Sequence, residues 1–341
     1  MTISYRRPHR RVAATVAACA LAACSLTACA GPTPESPVNY NQLDPGAGPP
    51  LPPDSELEAA GSVAPQEIVT DTWEGSLRPD SATPEERVPT IFKRGRIIVG
   101  VDQSQNLLSF RDSLTGTLQG FEVSLAKEIA RDIFGDPEAV DFRYVDSIDR
   151  VRALQQGNVD IVIRSMAVTE DRAKQVEFST PYYRAQTRLL VMDNSGITSV
   201  ADLAGHTICV AEGSTALQRA RAIAPESDIL KTRNWADCLM ALQQQQAQVI
   251  LGDDVILSGI AAQDPYTRIL PASLGLEYYG VATAKQVSGR DVSGLVRQIN
   301  STLERLRNDG TWWNLFNQWF APYLTSLGPP ALQFREENPD E

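Results

Sequence analysis

The chain has 341 residues, of which 43% are hydrophobic and 21% are charged, so it is long enough to bury cores in one to three domains. Its formal net charge is −11. This acidity excludes a nucleic-acid-binding protein by composition. Any anion that the protein binds must be held by locally placed cations, because the overall field repels anions.

A basic N-terminus precedes an uncharged run from Val12 to Ala28, VAATVAACALAACSLTA. This run of 17 residues is short for a membrane-spanning helix and is typical of the apolar core of a signal peptide. It ends in LTAC, Leu26 to Cys29, which resembles the bacterial lipobox, where cleavage before a cysteine is followed by lipidation of that cysteine.

Two cysteines compete for this role. Cleavage before Cys29 leaves Cys209 and Cys238 as an even pair, whereas cleavage before Cys24, in LAAC, leaves an odd thiol in an oxidising compartment. We therefore predict a signal peptide over residues 1–28, lipidation of Cys29 and a location on the extracytoplasmic face of the cell membrane. An ordinary secretory signal with incidental cysteines is the alternative. Removing residues 1–28 removes four arginines and no acids, which takes the formal charge from −11 to −15.

Residues 29–88 are rich in Pro, Gly, Ser and acids and have no sustained hydrophobic period, as in GPTPESPVNYNQLDPGAGPP. This composition predicts a disordered, partly extended tether. Such a tether would hold a folded domain away from the membrane surface to which a lipid anchors it.

From residue 89 onwards, strand-like runs alternate with amphipathic helices. RIIVGVD is typical of a buried strand, and GFEVSLAKEIARDIF places Leu125, Ile129 and Ile133 on one helix face. Further predicted strands are DIVIRSM, TRLLVMD, HTICVAEG, QVILGDD and YYGVATA, and one long helix is predicted over 292–320. The alternation predicts an α/β fold with mostly parallel sheets, and roughly 235 residues of it predict two domains.

The order of motifs over residues 89–323 resembles that of the family 3 extracellular solute-binding proteins, which bind polar amino acids. The motifs that carry the resemblance are RGRIIVGVD, GFEVSLAKEIARDI, ALQQGNVDIVI, VTEDR, FSTPYY, ADLAGHTICVAEGST, YYGVA and LRNDGTWWNLFNQWF. With the lipobox and the cysteine pair added, the chain is most similar to actinobacterial glutamine/glutamate-binding lipoproteins of this family.

The resemblance implies a two-lobed α/β fold of the periplasmic-binding-protein type II, with two hinge strands at YYRAQ and EYYGV. Lobe 1 would comprise residues 89–183 and 279–323, lobe 2 residues 184–278, and residues 324–341 would form a C-terminal tail. The ligand would be clamped between the lobes. We expect a monomer without enzymatic activity, cofactor or metal.

Carried onto this chain, the family's α-carboxylate site consists of Arg172 in a Thr-Glu-Asp-Arg helix start, Ser165, and the hydroxyls of Ser214 and Thr215. For Arg172 the alternative is a solvated helix arginine, and for Ser214 and Thr215 a simple helix N-cap. The α-ammonium group would bind Asp253, while Asp254 is interpreted as the N-cap of the following helix. Asp102, at the end of the first strand, is a second candidate partner for the ammonium group. Relatives that bind acidic amino acids can have another residue at this position.

Arg150 occupies the position at which glutamate- and aspartate-binding relatives contact the side-chain carboxylate, and Arg164 adds a second cation nearby. The alternatives are an exposed helix arginine for Arg150 and a structural salt bridge for Arg164. The sequence departs from the family pattern at two places. Ala167 stands where the family usually has a threonine, and Phe110 lies further along the chain than the aromatic residue that glutamine-binding relatives stack on the ligand just after the first strand. These departures leave aspartate and asparagine open as ligands beside glutamate and glutamine.

Cys209 and Cys238 lie on adjacent predicted elements, so we predict a disulfide that braces lobe 2 by roughly 2 to 4 kcal/mol. Two separate buried thiols are the alternative. The two histidines, His9 and His206, belong to no catalytic or metal-binding constellation.

We therefore predict the substrate-capture component of an amino-acid ABC importer, with an ABC permease as its partner and no nucleic acid bound. A ligand-sensing lipoprotein that signals to a membrane protein is the alternative, and a dehydratase-type enzyme on the same fold is less favoured. Neighbouring genes would separate the first two functions, and turnover of the ligand would identify the third.

Overall fold

The computed structural model describes residues 48–70, 73–285, 292–326 and 328–337. The predicted signal peptide, with Cys24 and Cys29, lies outside these residues. None of the helices described is long and apolar enough to cross a membrane. From Leu51 onwards the chain forms one compact unit, which contains two α/β lobes.

The bounds of the elements are as follows. The strands are β1 Glu56–Glu58, β2 Ile97–Val101, β3 Ser104–Gln105, β4 Ser109–Arg111, β5 Leu118–Gln119, β6 Val140–Tyr144, β7 Ile161–Val162, β8 Val176–Phe178, β9 Tyr183–Met192, β10 Thr207–Ala211, β11 Asp228–Thr232, β12 Val249–Asp253, β13 Thr267–Ile269, β14 Gly275–Tyr279 and β15 Ala282–Ala284. The helices are α1 Pro84–Arg87, α2 Pro89–Arg94, α3 Phe121–Phe134, α4 Arg150–Gln155, α5 Glu170–Ala173, α6 Thr215–Ile223, α7 Trp235–Gln243, α8 Asp254–Ala261, α9 Ser293–Asn308 and α10 Thr311–Trp319.

Lobe 1 is built on a five-stranded sheet in the order β6-β2-β7-β15-β8. Strand β2 pairs in parallel with β6 and β7, whereas β15 is antiparallel to β7 and β8. Helix α3 packs its apolar stripe, which includes the predicted Leu125, Ile129 and Ile133, into the core beneath this sheet. A small sheet of β3, β4 and β5 follows the end of β2.

Lobe 2 is built on a seven-stranded sheet in the order β1-β11-β10-β12-β9-β13, with β14 also paired to β9. Strand β10 is parallel to β11 and β12, and the remaining pairs are antiparallel. The two mixed sheets confirm the two-lobed α/β fold. The prediction of mostly parallel sheets was wrong, because strands that return from one lobe to the other run against their neighbours.

The chain passes between the lobes twice, from β8 to β9 and from β14 to β15. At the crossing, the Tyr182 amide donates to the Tyr279 carbonyl oxygen at 2.8 Å. The rings of Tyr182, Tyr183 and Tyr279 pack together, and both Tyr182 and Tyr183 contact Phe121 of lobe 1. These two crossings are the hinge strands that the family resemblance implied.

A disordered tether was predicted over residues 29–88, and the part of it that the structure describes, residues 48–70 and 73–88, is different. From Leu51 it contains β1, which adds an edge strand to lobe 2, and helix α1, which begins with a capping box between Thr83 and Glu86. Glu58, buried on β1, forms ion pairs with Arg221 and Lys231. Those partners lie more than 160 residues away in sequence, so local composition could not reveal them.

The predicted disulfide is confirmed, since Cys209 on β10 and Cys238 on α7 are bonded and both are buried.

The prediction of a single long C-terminal helix was wrong. Gly310, with φ of +80°, ends the first part and begins the second, so α9 and α10 are separate helices.

Candidate functional site

A cavity of about 20 Å³ lies between the lobes. Its lining comprises Ser147, Arg150, Arg164, Ser165, Arg172, Ser214, Thr215, Ala216, Trp235, Asp253 and Ile256. Of the predicted ligand-binding residues, only Asp102 is outside this lining. The volume is enough for about one water molecule, so an amino acid could enter only if the surrounding groups move apart.

Arg172 approaches the cavity from lobe 1, on helix α5. The side chain of Thr169 caps this helix by accepting a hydrogen bond from the Arg172 amide. The guanidinium donates to the carbonyl oxygens of Ala167 at 2.8 Å and Gly213 at 3.0 Å. Burial lowers the pKa of Arg172, while the carboxylates of Glu277 and Asp253 oppose that shift. The group is therefore a planar cation held in place by neutral acceptors.

Arg150 is the first residue of α4 and is buried, not exposed as the alternative interpretation would have it. Its guanidinium donates to the carbonyl oxygens of Ser147 at 2.8 Å, Arg164 at 3.0 Å and Gly213 at 3.0 Å. Burial lowers the pKa of Arg150 well below its ordinary value, and repulsion from Arg172 and Arg164 adds to the shift. An anion placed here would relieve both effects.

Arg164 and Asp102 form a buried ion pair, with Nη2 and Oδ2 2.5 Å apart. Asp102 also accepts hydrogen bonds from the Gln103 and Ser104 amides and from the Ser104 hydroxyl. The aspartate is fully buried and its lone pairs are directed to protein donors. In this structure Asp102 is directed to Arg164 and not to the cavity, so its binding of the ligand ammonium stays a prediction, and Arg164 has the salt bridge of the alternative interpretation.

Asp253 ends strand β12 and lines the cavity from lobe 2. It accepts hydrogen bonds from the Thr187 hydroxyl at 3.0 Å and the Tyr279 hydroxyl at 2.5 Å, and burial raises its pKa. Asp253 also occupies the N-cap position of α8, which was predicted for Asp254. Asp254 instead accepts from the Gln186 and Val255 amides.

Glu277 is a site residue that the sequence analysis missed. It lies buried on hinge strand β14, accepts a hydrogen bond from the Thr215 hydroxyl at 2.7 Å, and has Arg219 at 3.6 Å. Burial, reinforced by the charge of Asp253, raises the pKa of Glu277 to about 7. The only sequence signal was an acid two residues before the Tyr-Gly of the second hinge motif.

Helix α6 presents its N-terminus to the cavity through Ser214, Thr215 and Ala216. The Ser214 hydroxyl donates to the Ala211 carbonyl oxygen at 2.6 Å, and no side chain caps the helix. The first amides of a helix have no partner within it. Since both hydroxyl protons are donated within lobe 2, these amides are the better donors for a carboxylate.

Ser165 has φ of +42°, a left-handed conformation that is rare for serine. Its amide donates to Glu122 at 2.6 Å and its hydroxyl donates to Gln105 at 3.1 Å. Glu122 is fully buried, which raises its pKa to about 6. These bonds hold the short segment between Arg164 and Arg172 in a fixed conformation.

Four lining residues were not predicted: Ser147, Ala216, Trp235 and Ile256. Trp235, Ala216 and Ile256 form the apolar wall on lobe 2. Phe110 packs edge-on against Trp319 and does not line the cavity. Trp235 and Ile256 each lie just after the end of a strand, which is the only sequence feature that could have indicated that they line the cavity. Many core residues occupy such positions, so this feature does not identify site residues.

Contacts between the lobes surround the cavity. Arg233 of lobe 2 binds Asp146 of lobe 1 through Nε at 3.0 Å and Nη2 at 2.8 Å. The Asn106 side-chain amide donates to the Gly259 carbonyl oxygen at 3.1 Å. Together with the two arginines on the Gly213 carbonyl oxygen, these bonds hold the lobes against each other.

Comparison with known proteins agrees with this architecture. The sequence profile of the bacterial extracellular solute-binding proteins, family 3, matches residues 97–322. The chain belongs to this family. It is 35% identical over 231 residues to a glutamine-binding protein of Geobacillus stearothermophilus, covering 67% of this chain and 88% of that protein.

Two further relatives show the range of ligands. A glutamate-binding protein of Corynebacterium efficiens is 27% identical over 271 residues, covering 73% of this chain and 85% of that protein. The structure of an ancestral arginine-binding protein bound to glutamine is 32% identical with a TM-score of 0.61, covering 67% of this chain and 98% of that one. The ligands named for these similar proteins differ in side-chain charge, so the ligand of this chain must be argued from its own site.

Proposed function

We propose that the protein captures an acidic amino acid, L-glutamate or L-aspartate, between its lobes and delivers it to an ABC permease. The single observation that supports this is the pair of cavity-lining arginines, Arg150 and Arg172. In the part of the chain that the structure describes, neither forms an ion pair with a carboxylate. Buried cations without a counter-ion are costly, and a ligand with two carboxylates would supply one to each.

The charges around the cavity support the same choice. Arg164 is balanced by Asp102, and Glu277 by Arg219. Among the residues that line the cavity, Arg150 and Arg172 then share a single carboxylate, that of Asp253, which leaves the lining with one net positive charge. Glutamate and aspartate each carry one net negative charge at neutral pH, whereas glutamine carries none. An acidic ligand would therefore neutralise the site and glutamine would not.

In this proposal Arg172 and the N-terminus of α6, at Ser214 and Thr215, hold the α-carboxylate, and Asp253 holds the α-ammonium. Arg150 receives the side-chain carboxylate. Ser165 positions the two arginines, and Arg164 with Asp102 supports the floor of the site. Ligand carboxylates would take over the donors now directed at the Gly213 carbonyl oxygen.

We further propose that the protein is held at the extracytoplasmic membrane face by lipidation of Cys29. This rests on the LTAC motif and on the even cysteine pair that remains after cleavage. Mass spectrometry of the N-terminal peptide from membranes would test it, because a diacylated Cys29 and an unmodified N-terminus differ in mass.

The ligand test is isothermal titration with L-glutamate, L-aspartate and L-glutamine. We expect the two acids to bind more tightly than glutamine. In Arg150→Met, the acids should lose about tenfold or more in affinity while glutamine loses little, because a buried charge-assisted hydrogen bond contributes about 1.5–3 kcal/mol. The glutamine-binding relatives favour the opposite order. Tighter binding of glutamine to the unaltered protein would contradict the proposal.

A further inference from the structure

Residues 56–69, which we call the strap, join the two lobes outside the hinge. They precede the part of the chain that matches the family, which begins at residue 97. At one end, β1 pairs with β11 of lobe 2 in the register Glu56 to Lys231, Leu57 to Leu230 and Glu58 to Ile229. At the other end, the Val69 carbonyl oxygen accepts a hydrogen bond of 2.9 Å from the Glu170 amide of lobe 1.

The lobe 2 end of the strap is firmly attached. Glu58 is buried and accepts two hydrogen bonds from Arg221, at 2.7 and 2.6 Å. This hydrogen bonding is the main reason that the pKa of Glu58 is lowered. The Ala60 amide then donates to Asp228 at 2.9 Å. Bidentate arginine–carboxylate pairs of this kind have fixed geometry, so β1 moves with lobe 2.

The strap crosses from lobe 2 to lobe 1 next to the cavity. The Gln66 amide donates to the side-chain oxygen of Gln218 at 2.9 Å, on helix α6, whose first residues line the cavity. Three residues later, Val69 binds the first residue of α5, the helix that carries Arg172. An extended chain spans at most about 3.6 Å per residue, so this crossing cannot exceed about 11 Å.

Beyond the crossing, the chain is attached to lobe 1. Trp73 packs against the apolar cluster of lobe 1 that includes Val145 and Phe178. The Ser76 hydroxyl donates to the Phe178 carbonyl oxygen at 2.6 Å, and Ser76 also pairs with the C-terminal segment at Phe334. Separation of the lobes beyond the reach of three residues would therefore have to break the Gln66 or the Val69 bond.

We propose that the strap is a conformational device that stabilises the closed arrangement of the lobes and slows release of the ligand. Bonds made only when the lobes are together shift the equilibrium towards the closed arrangement, by as much as those bonds contribute. Because opening has to break one of these two hydrogen bonds, the strap corresponds to roughly fivefold in ligand affinity. The effect on ligand release rests on the proposed function, whereas the effect on the lobes does not.

The test cuts the strap without changing any of its contacts. A four-residue protease recognition sequence replaces the exposed residues 64–67 of the full chain at unchanged length, so that cleavage falls between the attachments at positions 66 and 69, which use backbone atoms of the strap. The same preparation is compared before and after cleavage, so the uncut protein is the matched control. Dissociation rates of L-glutamate and L-aspartate are measured by stopped-flow tryptophan fluorescence, since Trp235 lines the cavity.

We expect cleavage to accelerate release of either amino acid by roughly fivefold, because the lobes can then separate without breaking the bond at position 66 or the bond at Val69. Gln218→Ala, which removes the acceptor of the amide at position 66, should give a change of the same sign. Gln244→Ala, at an exposed glutamine elsewhere on lobe 2, should give none. Release rates within twofold of each other before and after cleavage would overturn the proposal.

A second readout needs no ligand. Hydrogen exchange of segments 165–175 and 211–218, which face each other across the cavity, should become faster on cleavage. If neither amino acid binds the uncut protein but exchange still accelerates, the proposed function fails and the strap stands. If binding is normal and neither release nor exchange changes, the strap fails and the proposed function stands.

Discussion

Arg172→Ala gives the most direct test of the site. The guanidinium now donates to two neutral carbonyl oxygens, those of Ala167 at 2.8 Å and Gly213 at 3.0 Å. A ligand α-carboxylate would replace a neutral acceptor with a charged one, and hydrogen bonds to charged groups contribute about 1.5–3 kcal/mol each. A bidentate pair is thus expected to contribute about 3–5 kcal/mol, which corresponds to roughly two to four orders of magnitude in Kd.

The assay is isothermal titration with L-glutamate, accompanied by thermal unfolding to confirm that each variant folds. Arg172→Lys should recover only part of the loss, because an ammonium group keeps the charge but not the planar fork. Arg152→Ala is the matched control, since Arg152 is an exposed lobe 1 arginine paired with Asp149. A Kd for Arg172→Ala within threefold of the unaltered protein would show that the α-carboxylate is held elsewhere.

Three other changes should act on stability. Arg164→Met should lower the free energy of unfolding by about 3–5 kcal/mol, because it leaves the Asp102 carboxylate buried and unpaired. Adding Asp102→Asn should recover much of this loss in denaturant titrations. Equal losses in the single and double variants would contradict the pairing. Glu277 has a folded-state pKa of about 7 against an ordinary value of 4.5, so the folded protein retains a proton that the unfolded chain releases, and stability should fall as pH rises between about 4.5 and 7. Glu277→Gln should reduce that slope in a series of Tm measurements, and parallel curves for the two proteins would refute the assignment. Replacing both Cys209 and Cys238 by serine should cost about 3.5 kcal/mol, the loop-closure value for a separation of 29 residues; an unchanged denaturation midpoint would exclude such a brace.

Strand and helix positions within the lobes could be predicted because each carries a local hydrophobic period, as the stripe of Leu125, Ile129 and Ile133 on α3 illustrates. The direction of the strands could not, since the pairing of β9 with three neighbours is set by contacts far apart in sequence. The division of α9 from α10 depended on a single glycine, Gly310.

Within the site, motif position identified most of the residues that line the cavity but not their partners. The Arg164–Asp102 pair joins residues 62 positions apart, and the Thr215–Glu277 bond also spans 62. The strap was missed for a related reason. Its composition is that of a flexible linker. Its order comes from the ion pairs of Glu58 with Arg221 and Lys231, which cannot be predicted from the residues next to Glu58 in sequence.

Gly213 has one more consequence, which concerns how closely the lobes can approach. Its φ is +72°, and a methyl group at its α-carbon would lie 2.8 Å from the Ile148 α-carbon across the interface. Backbone atoms cannot yield at that distance as a flexible side chain would. A single added carbon at this position would therefore act as a wedge, and Gly213→Ala offers a way to hold the two halves of the molecule apart while every charged group of the site is kept.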